Sequence, residues 1–180
     1  MAAITKVSPL APAQFPALPV VEGVTFATAA AGVKYEGRTD VMLALMTPGT
    51  AVAGVFTRSA TRAAPVLDCQ AKIGGAQDAG AAILVNSGNA NAFTGRNGVA
   101  SVKAITAAVY EASGVPPGRV FTSSTGVIGE PLPHERITAV VSALSGQASP
   151  DGIAAAAKAI MTTDTFPKGA AAEVEIDGKT

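Results

Sequence analysis

The sequence has few of the side chains that usually carry acid–base or metal chemistry. Its 180 residues include one Cys, one His and no Trp, and only 14% of them are charged. One thiol forms no internal disulfide, and one Cys with one His cannot complete a zinc site of His and Cys ligands. We therefore expect no metal and no prosthetic group, and the scarcity of Cys favours a reducing, cytoplasmic location.

Neither sign of charge is in excess, since 13 Lys and Arg balance 13 Asp and Glu. Nucleic acids and anionic membranes are bound through a basic surplus, so neither is an expected partner. The low charge content instead predicts that an oligomer or a partner chain covers much of the surface. Near the N-terminus, four prolines interrupt the apolar stretch VSPLAPAQFPALPVV, which argues against a signal or membrane-spanning helix and predicts an extended arm over residues 1–22.

The chain does have a 48% hydrophobic fraction of mostly small aliphatic side chains, together with 19 glycines. This composition indicates tightly packed layers, and residues 23–180 are expected to form one α+β domain. Short apolar runs predict strands over 24–34, 41–46, 51–57, 65–69, 81–86, 119–125 and 173–177. Helical periodicity predicts helices over 97–114, 133–144 and 149–161, with Asn97 and Ser149 as N-terminal caps and Gly114 as a terminator.

The last strand prediction concerns the segment EVEIDGKT, residues 173–180. Its Gly-Lys-Thr ending lacks the second glycine that a phosphate-binding P-loop needs five positions earlier, where Glu173 stands. Alternating apolar residues followed by Asp177-Gly178 favour one half of a β-hairpin. We expect the returning strand on another polypeptide, so that this sequence is part of a longer folding unit.

Three polar, glycine-containing loops are the remaining places for a functional site. Residues 86–95, NSGNANAFTG, follow an apolar strand and form either a binding loop or a turn cluster stabilised by Asn side chains. Residues 123–129, SSTGVIG, would place the Thr125 hydroxyl beside the Gly126 backbone N–H, and two such donors suit a developing oxyanion. A helix cap or a tight turn would explain the same letters.

The third loop, residues 160–168, has the sequence IMTTDTFPK and closes the last predicted helix. Its threonines could bond the last helical carbonyls or line a substrate pocket. The single His and the single Cys, the usual reactive side chains, are both predicted to have structural positions. His134 is expected on the surface at a helix start, and Cys69 is expected to be buried at the end of a strand.

The segments GVFTRS, NSGNANAFTG, SSTGVIG and AIMTTDTFPK, in this order and spacing, resemble the bifunctional ornithine acetyltransferase and N-acetylglutamate synthase family of the cyclic arginine pathway. The resemblance runs from about Gly23 to the last residue. It implies an αββα-type sandwich, shared with DmpA-like self-processing enzymes, whose precursor cleaves itself into an α and a β chain. This sequence would be the α chain of an α2β2 heterotetramer, and the new N-terminal Thr of the β chain would be the nucleophile.

Carried over position by position, the resemblance assigns Thr125 and Gly126 to the oxyanion hole and Thr162 to substrate binding. It implies ping-pong transfer of an acetyl group from N-acetylornithine to glutamate, with acetyl-CoA as a second donor only in bifunctional members. Two alternatives stay open. A related self-processing aminopeptidase or amidohydrolase would use the same oxyanion geometry with another acceptor, and a non-catalytic small-ligand-binding subunit would agree with the shortage of titratable groups.

Overall fold

The computed structural model of the chain describes residues 6–76 and 78–178, which fold around a four-stranded sheet. The strands lie side by side in chain order; they are β1 (Val24–Ala29), β2 (Val41–Met46), β3 (Ala81–Asn89) and β4 (Val120–Val127). β1, β2 and β3 pair antiparallel, whereas β3 and β4 are parallel. The α+β fold is completed by the helices α1 (Ala64–Lys72), α2 (Gly95–Ser113), α3 (His134–Gly146) and α4 (Ile153–Ala159).

Because side chains alternate along a strand, the sheet has two different faces. On the first face, Leu43 and Leu84 are buried opposite each other, and α2 and α3 cover them. The core between these layers consists of aliphatic side chains, among them Ala27, Val41, Leu43, Leu84, Ile105, Val109, Val120, Ile137, Val141 and Leu144. On the second face, Ile83 and Val85 are only half-buried. α4 reaches this face, where the Ser87 hydroxyl donates to the carbonyl of Ala159 at 2.8 Å.

The two edge strands are covered by different elements, which limits the exposure of unpaired backbone groups. At the β1 edge, Phe26 and Ser149 exchange two backbone hydrogen bonds of 2.9 Å. At the β4 edge, α1 packs alongside, and Cys69 Sγ donates to the carbonyl of Thr122 at 3.3 Å. This contact lies in the first half of β4, so α1 covers the beginning of that edge.

One predicted strand is instead a helix, since residues 65–69 lie in α1. Two signals favour the helix. Pro65 occupies the first turn, where its missing N–H removes no helical hydrogen bond. Asp68 and Lys72 are four residues apart, and their charged groups lie 2.5 Å from each other on one helix face.

Two further strand predictions are wrong, because residues 51–57 and 173–177 form no strand within the described part of the chain. The first segment is an apolar run and the second alternates apolar with charged residues, but no described strand lies beside either of them in the sheet. The turn prediction at the second segment is confirmed. Asp177 and Gly178 have φ values of 52° and 75°, the positive pair that a type I′ turn requires.

The helix predictions hold with shifted ends. α2 begins at Gly95, so Asn97 lies inside the helix and the cap assigned to it is wrong. Gly114 is confirmed as the terminator, with φ of 75° and its N–H donating to the carbonyl of Tyr110 at 2.8 Å. Ser149 is confirmed as a cap, although its hydroxyl serves a 3-10 turn, Pro150–Gly152, that leads into α4.

Residues 6–22 contain no helix and no strand, as an extended arm requires. They lie against the chain that follows α4. The Ser8 N–H donates to the Thr165 hydroxyl at 3.2 Å, and a Cβ at Gly169 would lie 2.7 Å from the Phe15 ring. The division of the chain at residue 23 stays a prediction. Across the described residues, none of the helices combines the length and apolarity that crossing a bilayer requires.

Candidate active site

The Thr125–Gly126 pair lies near the carboxyl end of the parallel strands β3 and β4. In the register of these strands, Thr125 is opposite Ser87 and Gly126 is opposite Gly88. β4 continues to Val127, so the pair belongs to the strand itself. A helix cap and a tight turn, the two alternatives allowed by the sequence, are therefore both wrong.

The backbone N–H of Gly126 faces away from β3. In a parallel strand, each residue directs its N–H and its C=O to the same side, and successive residues alternate. The carbonyls of Val120 and Thr122 accept hydrogen bonds from Lys72 Nζ at 3.0 Å and Cys69 Sγ at 3.3 Å, both on α1. Even-numbered residues of β4 thus face the outer edge, and the Gly126 N–H points to that edge beyond the stretch held by α1.

Conformation and space both require glycine at position 126. Its φ is 136°, which residues with a side chain rarely adopt, and a Cβ there would lie 2.3 Å from the carbonyl carbon of Gly88. The neighbouring Thr125 is half-buried, and its hydroxyl bonds to none of the described residues. Two donors, one O–H and one N–H, are therefore adjacent and available to a ligand atom.

The loop after β3 is a cluster of buried amides. Asn86, Asn89 and Asn91 are each no more than 2% exposed. Asn86 Nδ2 donates to the carbonyl of Asn89 at 2.9 Å, and the Asn91 N–H donates to Asn89 Oδ1 at 2.7 Å. Asn91 Nδ2 donates to the carbonyl of Gly98 in α2 at 3.1 Å. Of the two interpretations of residues 86–95, the turn cluster stabilised by Asn side chains agrees with these contacts.

Two of these amides also reach the chain on either side of the Thr125–Gly126 pair. Ser124 Oγ donates to Asn86 Oδ1 at 2.7 Å, immediately before the pair. Asn89 Nδ2 lies 3.1 Å from the carbonyl of Glu130 and 3.4 Å from that of Pro131, a few residues after it. β3 therefore holds both flanks of the β4 end, a connection that the sequence motifs did not reveal.

The connection between β1 and β2 brings a cation to the same end of the sheet. The buried carboxylate of Asp40 accepts backbone hydrogen bonds of 2.6 and 2.7 Å from the turn 31–33, which ends β1 earlier than predicted. Lys34 then lies over Gly88, where a Cβ would be 2.7 Å from that of Lys34. Its ammonium is 2.6 Å from the Glu130 carboxylate. Both side chains are partly exposed, so this ion pair contributes less than about 1 kcal/mol of stability.

Thr162 follows α4 and is brought to the same end of the sheet. Ala159, the last residue of α4, is bonded to Ser87, which is opposite Thr125 in the sheet register. Three residues of chain span at most about 11 Å, so Thr162 lies no farther than that from Ala159. The structure therefore places all three sequence-predicted site residues around the carboxyl ends of β3 and β4.

The threonines of the third loop do not bond the carbonyls of α4 within the described residues, so the helix-closing interpretation is wrong. The Thr162 N–H donates to Asp164 at 3.2 Å, and Lys168 binds the same carboxylate at 2.5 Å. The hydrogen bond from Lys168 holds the pKa of Asp164 below its usual value, with a further contribution from the Thr162 N–H. Thr165 accepts the hydrogen bond from Ser8 in the arm.

The two conventional reactive side chains lie elsewhere. His134 begins α3 and is half-buried, with Nδ1 3.0 Å from Ser101 Oγ and Nε2 3.5 Å from the Glu135 carboxylate. Cys69 is buried as predicted, although in a helix, and burial raises the pKa of its thiol. Among residues 6–76 and 78–178, no three His, Cys, Asp or Glu side chains are grouped so that they could hold a metal ion.

Nearly the whole chain is similar to curated relatives. It is 70% identical over 179 residues to the arginine biosynthesis bifunctional protein ArgJ of Ruegeria pomeroyi, and 51% identical over 174 residues to that of Nitrobacter winogradskyi. The aligned regions cover 99% and 96% of this chain, but 44% and 42% of the relatives. The chain therefore spans less than half the length of the curated relatives it matches.

Two solved structures share the fold. An ornithine acetyltransferase from Mycobacterium tuberculosis, crystallised with ornithine, is 37% identical with a TM-score of 0.73, over 82% of this chain and 79% of that one. The arginine biosynthesis bifunctional protein ArgJ from Bacillus halodurans is 32% identical with a TM-score of 0.71, over 81% and 75%. These matches confirm the α+β fold class.

The sequence model of the ArgJ family matches residues 25–180, close to the start of the predicted resemblance near Gly23. The match, the relatives and the solved structures agree with what the four sequence segments predicted. The chain belongs to the ArgJ family.

Proposed function

We propose that this chain is the α part of a self-processed acetyltransferase, which moves an acetyl group from N-acetylornithine to glutamate in arginine biosynthesis. Membership of the ArgJ family supports this, as does the likeness to an ornithine acetyltransferase bound to ornithine. One observation in this chain carries the proposal. The Gly126 N–H points to a free part of the β4 edge, next to the unbonded Thr125 hydroxyl.

In the proposed first half-reaction, the N-terminal Thr hydroxyl of the β part attacks the acetyl carbonyl of N-acetylornithine, and the α-amino group of that Thr takes the proton. The carbonyl oxygen becomes negatively charged and accepts hydrogen bonds from Thr125 and Gly126. Collapse breaks the C–N bond, the proton passes to the leaving amine, and ornithine departs. The acetyl group remains as an ester on the Thr.

In the second half-reaction, the amine of glutamate attacks this ester, and the same two donors stabilise the second oxyanion. The ester C–O bond then breaks, a proton from the amine passes to the Thr oxygen, and N-acetylglutamate leaves. Thr162, at the same end of the sheet, would contact the bound substrate. Acetyl-CoA would acylate the same Thr only in a bifunctional enzyme, and bifunctional is the word in the names of the relatives. The mechanism needs no metal and no prosthetic group.

The partner in this proposal is the β part of the same precursor, which would pack a second sheet against the half-buried face of Ile83 and Val85. Residues 51–57 support it: they are an apolar run that makes no backbone hydrogen bond to a described residue, and Val55 is 99% exposed. Pairing with a strand of the β part would satisfy these groups. The resulting αββα sandwich would associate as an α2β2 heterotetramer in the cytoplasm.

The test uses the complete precursor. Intact mass of the purified protein is expected to show two chains, the second beginning with Thr, and the protein is expected to transfer labelled acetyl from N-acetylornithine to glutamate. Sizing is expected to give the mass of two copies of each chain. A protein that forms no acetylglutamate but hydrolyses peptides would be an aminopeptidase of the same architecture, and one inactive in both assays would be a non-catalytic subunit. Either result would contradict the proposal.

A further inference from the structure

We infer that two consecutive buried residues of β3, Asn86 and Ser87, divide the positioning of the site between them. Asn86 positions the oxyanion pair, which is Thr125 and Gly126. Ser87 positions the segment that carries Thr162. The inference rests on the proposed function and deepens it. Neither residue is assigned a contact with substrate, so both are positioning residues.

Their positions on one strand explain the division. Asn86 and Ser87 are each 1% exposed, and because side chains alternate along a strand they point to opposite faces of the sheet. Asn86 lies on the face covered by α2 and α3, and Ser87 lies on the face reached by α4. A single stretch of backbone therefore supports groups on both sides of the sheet.

Asn86 controls both flanks of the oxyanion pair. Its Oδ1 accepts the hydroxyl of Ser124 at 2.7 Å, and its Nδ2 donates to the carbonyl of Asn89 at 2.9 Å. The Asn89 amide in turn donates to the carbonyl of Glu130 at 3.1 Å. The bond between Asn86 and Asn89 is buried and the other two are partly buried, and a lost partner is costly where water cannot replace it. Donors for an oxyanion act only when they are directed at its position, so movement of this end of β4 would lower the rate of the chemical step.

Ser87 controls the end of α4. Its hydroxyl donates to the carbonyl of Ala159, the last residue of a seven-residue helix, and Ala159 itself is fully buried. The next residues are held by Arg38, whose guanidinium donates to the carbonyl of Met161. A helix this short depends on tertiary contacts for its geometry. Loss of the Ser87 bond would loosen the segment carrying Thr162 and weaken substrate binding, while the oxyanion pair stays in place.

The experiment measures acetyl transfer from N-acetylornithine to glutamate by the processed, complete enzyme. Asn86→Ala and Ser124→Ala are expected to lower kcat about tenfold or more while KM for N-acetylornithine stays within about twofold. Ser87→Ala is expected to raise that KM, and the inhibition constant of ornithine, about fivefold with kcat within about twofold. Thr162→Ala added to Ser87→Ala is expected to give less than the product of the two single effects, because both changes act on one contact.

Asn91→Ala is the matched control. Asn91 is as buried as Asn86 and belongs to the same cluster, but its own amide bonds to Gly98 in α2 and not to the β4 end. It is expected to lower the melting temperature without separating kcat from KM. If Asn86→Ala and Ser87→Ala behave like this control, the two residues are structural only and the inference is overturned. A wild-type enzyme without acetyl transfer would instead overturn the proposed function, and the inference would fall with it.

Discussion

Thr125 has a hydroxyl that is not held by the candidate site's own hydrogen bonds. It is half-buried on β4 and bonds to no described residue, whereas the Ser87 hydroxyl is bonded to Ala159. Replacing it with alanine therefore removes a donor without leaving a buried group unpaired.

We expect Thr125→Ala in the complete enzyme to lower kcat about 10²- to 10³-fold, because loss of one oxyanion donor has this effect in other acyl-transfer enzymes. Acetyl transfer assays measure the fall in kcat. Thermal melting measures the stability, since the melting temperature is expected to stay the same. Thr138→Ala in α3 is the control, because that hydroxyl only bonds the carbonyl of Glu135 in its own helix. Unchanged turnover in Thr125→Ala would remove this residue from the site.

Cys69 links stability to pH. Burial, the largest effect, raises the pKa of its thiol above the ordinary value of 9.0, with the Asp68 carboxylate acting in the same direction. Above pH 9.0 the unfolded chain therefore loses this proton before the folded one. The stability that the neutral buried thiol contributes is present below that pH and is lost as pH rises through the folded pKa.

With rising pH, we expect the free energy of unfolding to fall more steeply for the wild type than for Cys69→Ala. The difference is expected between about pH 8 and pH 10, because an unfolded thiol loses its proton at about pH 8.5 to 9. Urea unfolding of both proteins at each pH measures the difference between their free energies of unfolding. Taking this difference removes the pH effects of all the groups that the two proteins share. A difference between the two proteins that is the same at every pH would contradict the assignment of a protonated, buried thiol.

Sequence reasoning identified the Thr125–Gly126 pair because the letters determine which donors are adjacent. It could not show which way the Gly126 N–H points, since that direction depends on the pairing of β4 with β3. The bond from Ser87 to Ala159 was equally out of reach, because it joins residues 72 positions apart. Local motifs therefore predicted the chemical groups, and tertiary contacts decided their orientation.

At the scale of elements, two helix-end signals were predicted correctly, because caps and terminators act within a few residues, whereas the cap assigned to Asn97 was wrong. Gly114 adopts φ of 75° after α2, and Ser149 caps the turn before α4. The strand predicted over 65–69 failed because Pro65 and the Asp68–Lys72 pair are helix signals that an apolar run obscures. Whether an apolar segment becomes a strand depends on a neighbour, which no local pattern supplies.

Two glycines at helix ends provide a matched prediction. Gly114→Ala is expected to lower the free energy of unfolding by about 1 kcal/mol, because a left-handed backbone strains a residue with a Cβ. Gly146, the last residue of α3, has no positive φ, and a Cβ there would meet nothing within 4 Å. Gly146→Ala is therefore expected to be neutral or to stabilise by up to about 1 kcal/mol. Urea unfolding of the two variants measures these opposite effects, and equal destabilisation would contradict the assigned conformations.

At the scale of the whole molecule, the two faces of the sheet are unequal. One face is covered by α2 and α3, while Ile83 and Val85 on the other remain half-buried. Val55, within the unpaired segment 51–57, is exposed. From the low charge content, the sequence predicted only that an oligomer or a partner chain covers much of the surface. It could not predict which residues would be left open, since that depends on how the sheet and α4 pack.

We expect Val55→Asp in the complete precursor to prevent the two parts from remaining together, because a carboxylate would be buried without a partner in the proposed second sheet. Folding of the described region is expected to be unaffected, since Val55 is 99% exposed in it. Co-purification and sizing measure the association. Leu10→Asp, at an equally open position in the arm with 89% exposure, is the control. Normal association of Val55→Asp would contradict pairing at this segment.

The contacts that shape the Thr125–Gly126 end of β4 all come from the stretch between Lys34 and Pro131. The proposed oxyanion donors would therefore be held by neighbouring residues of this same chain. In an uncut precursor, as in a zymogen, they would accordingly be in place before cleavage frees the proposed N-terminal Thr.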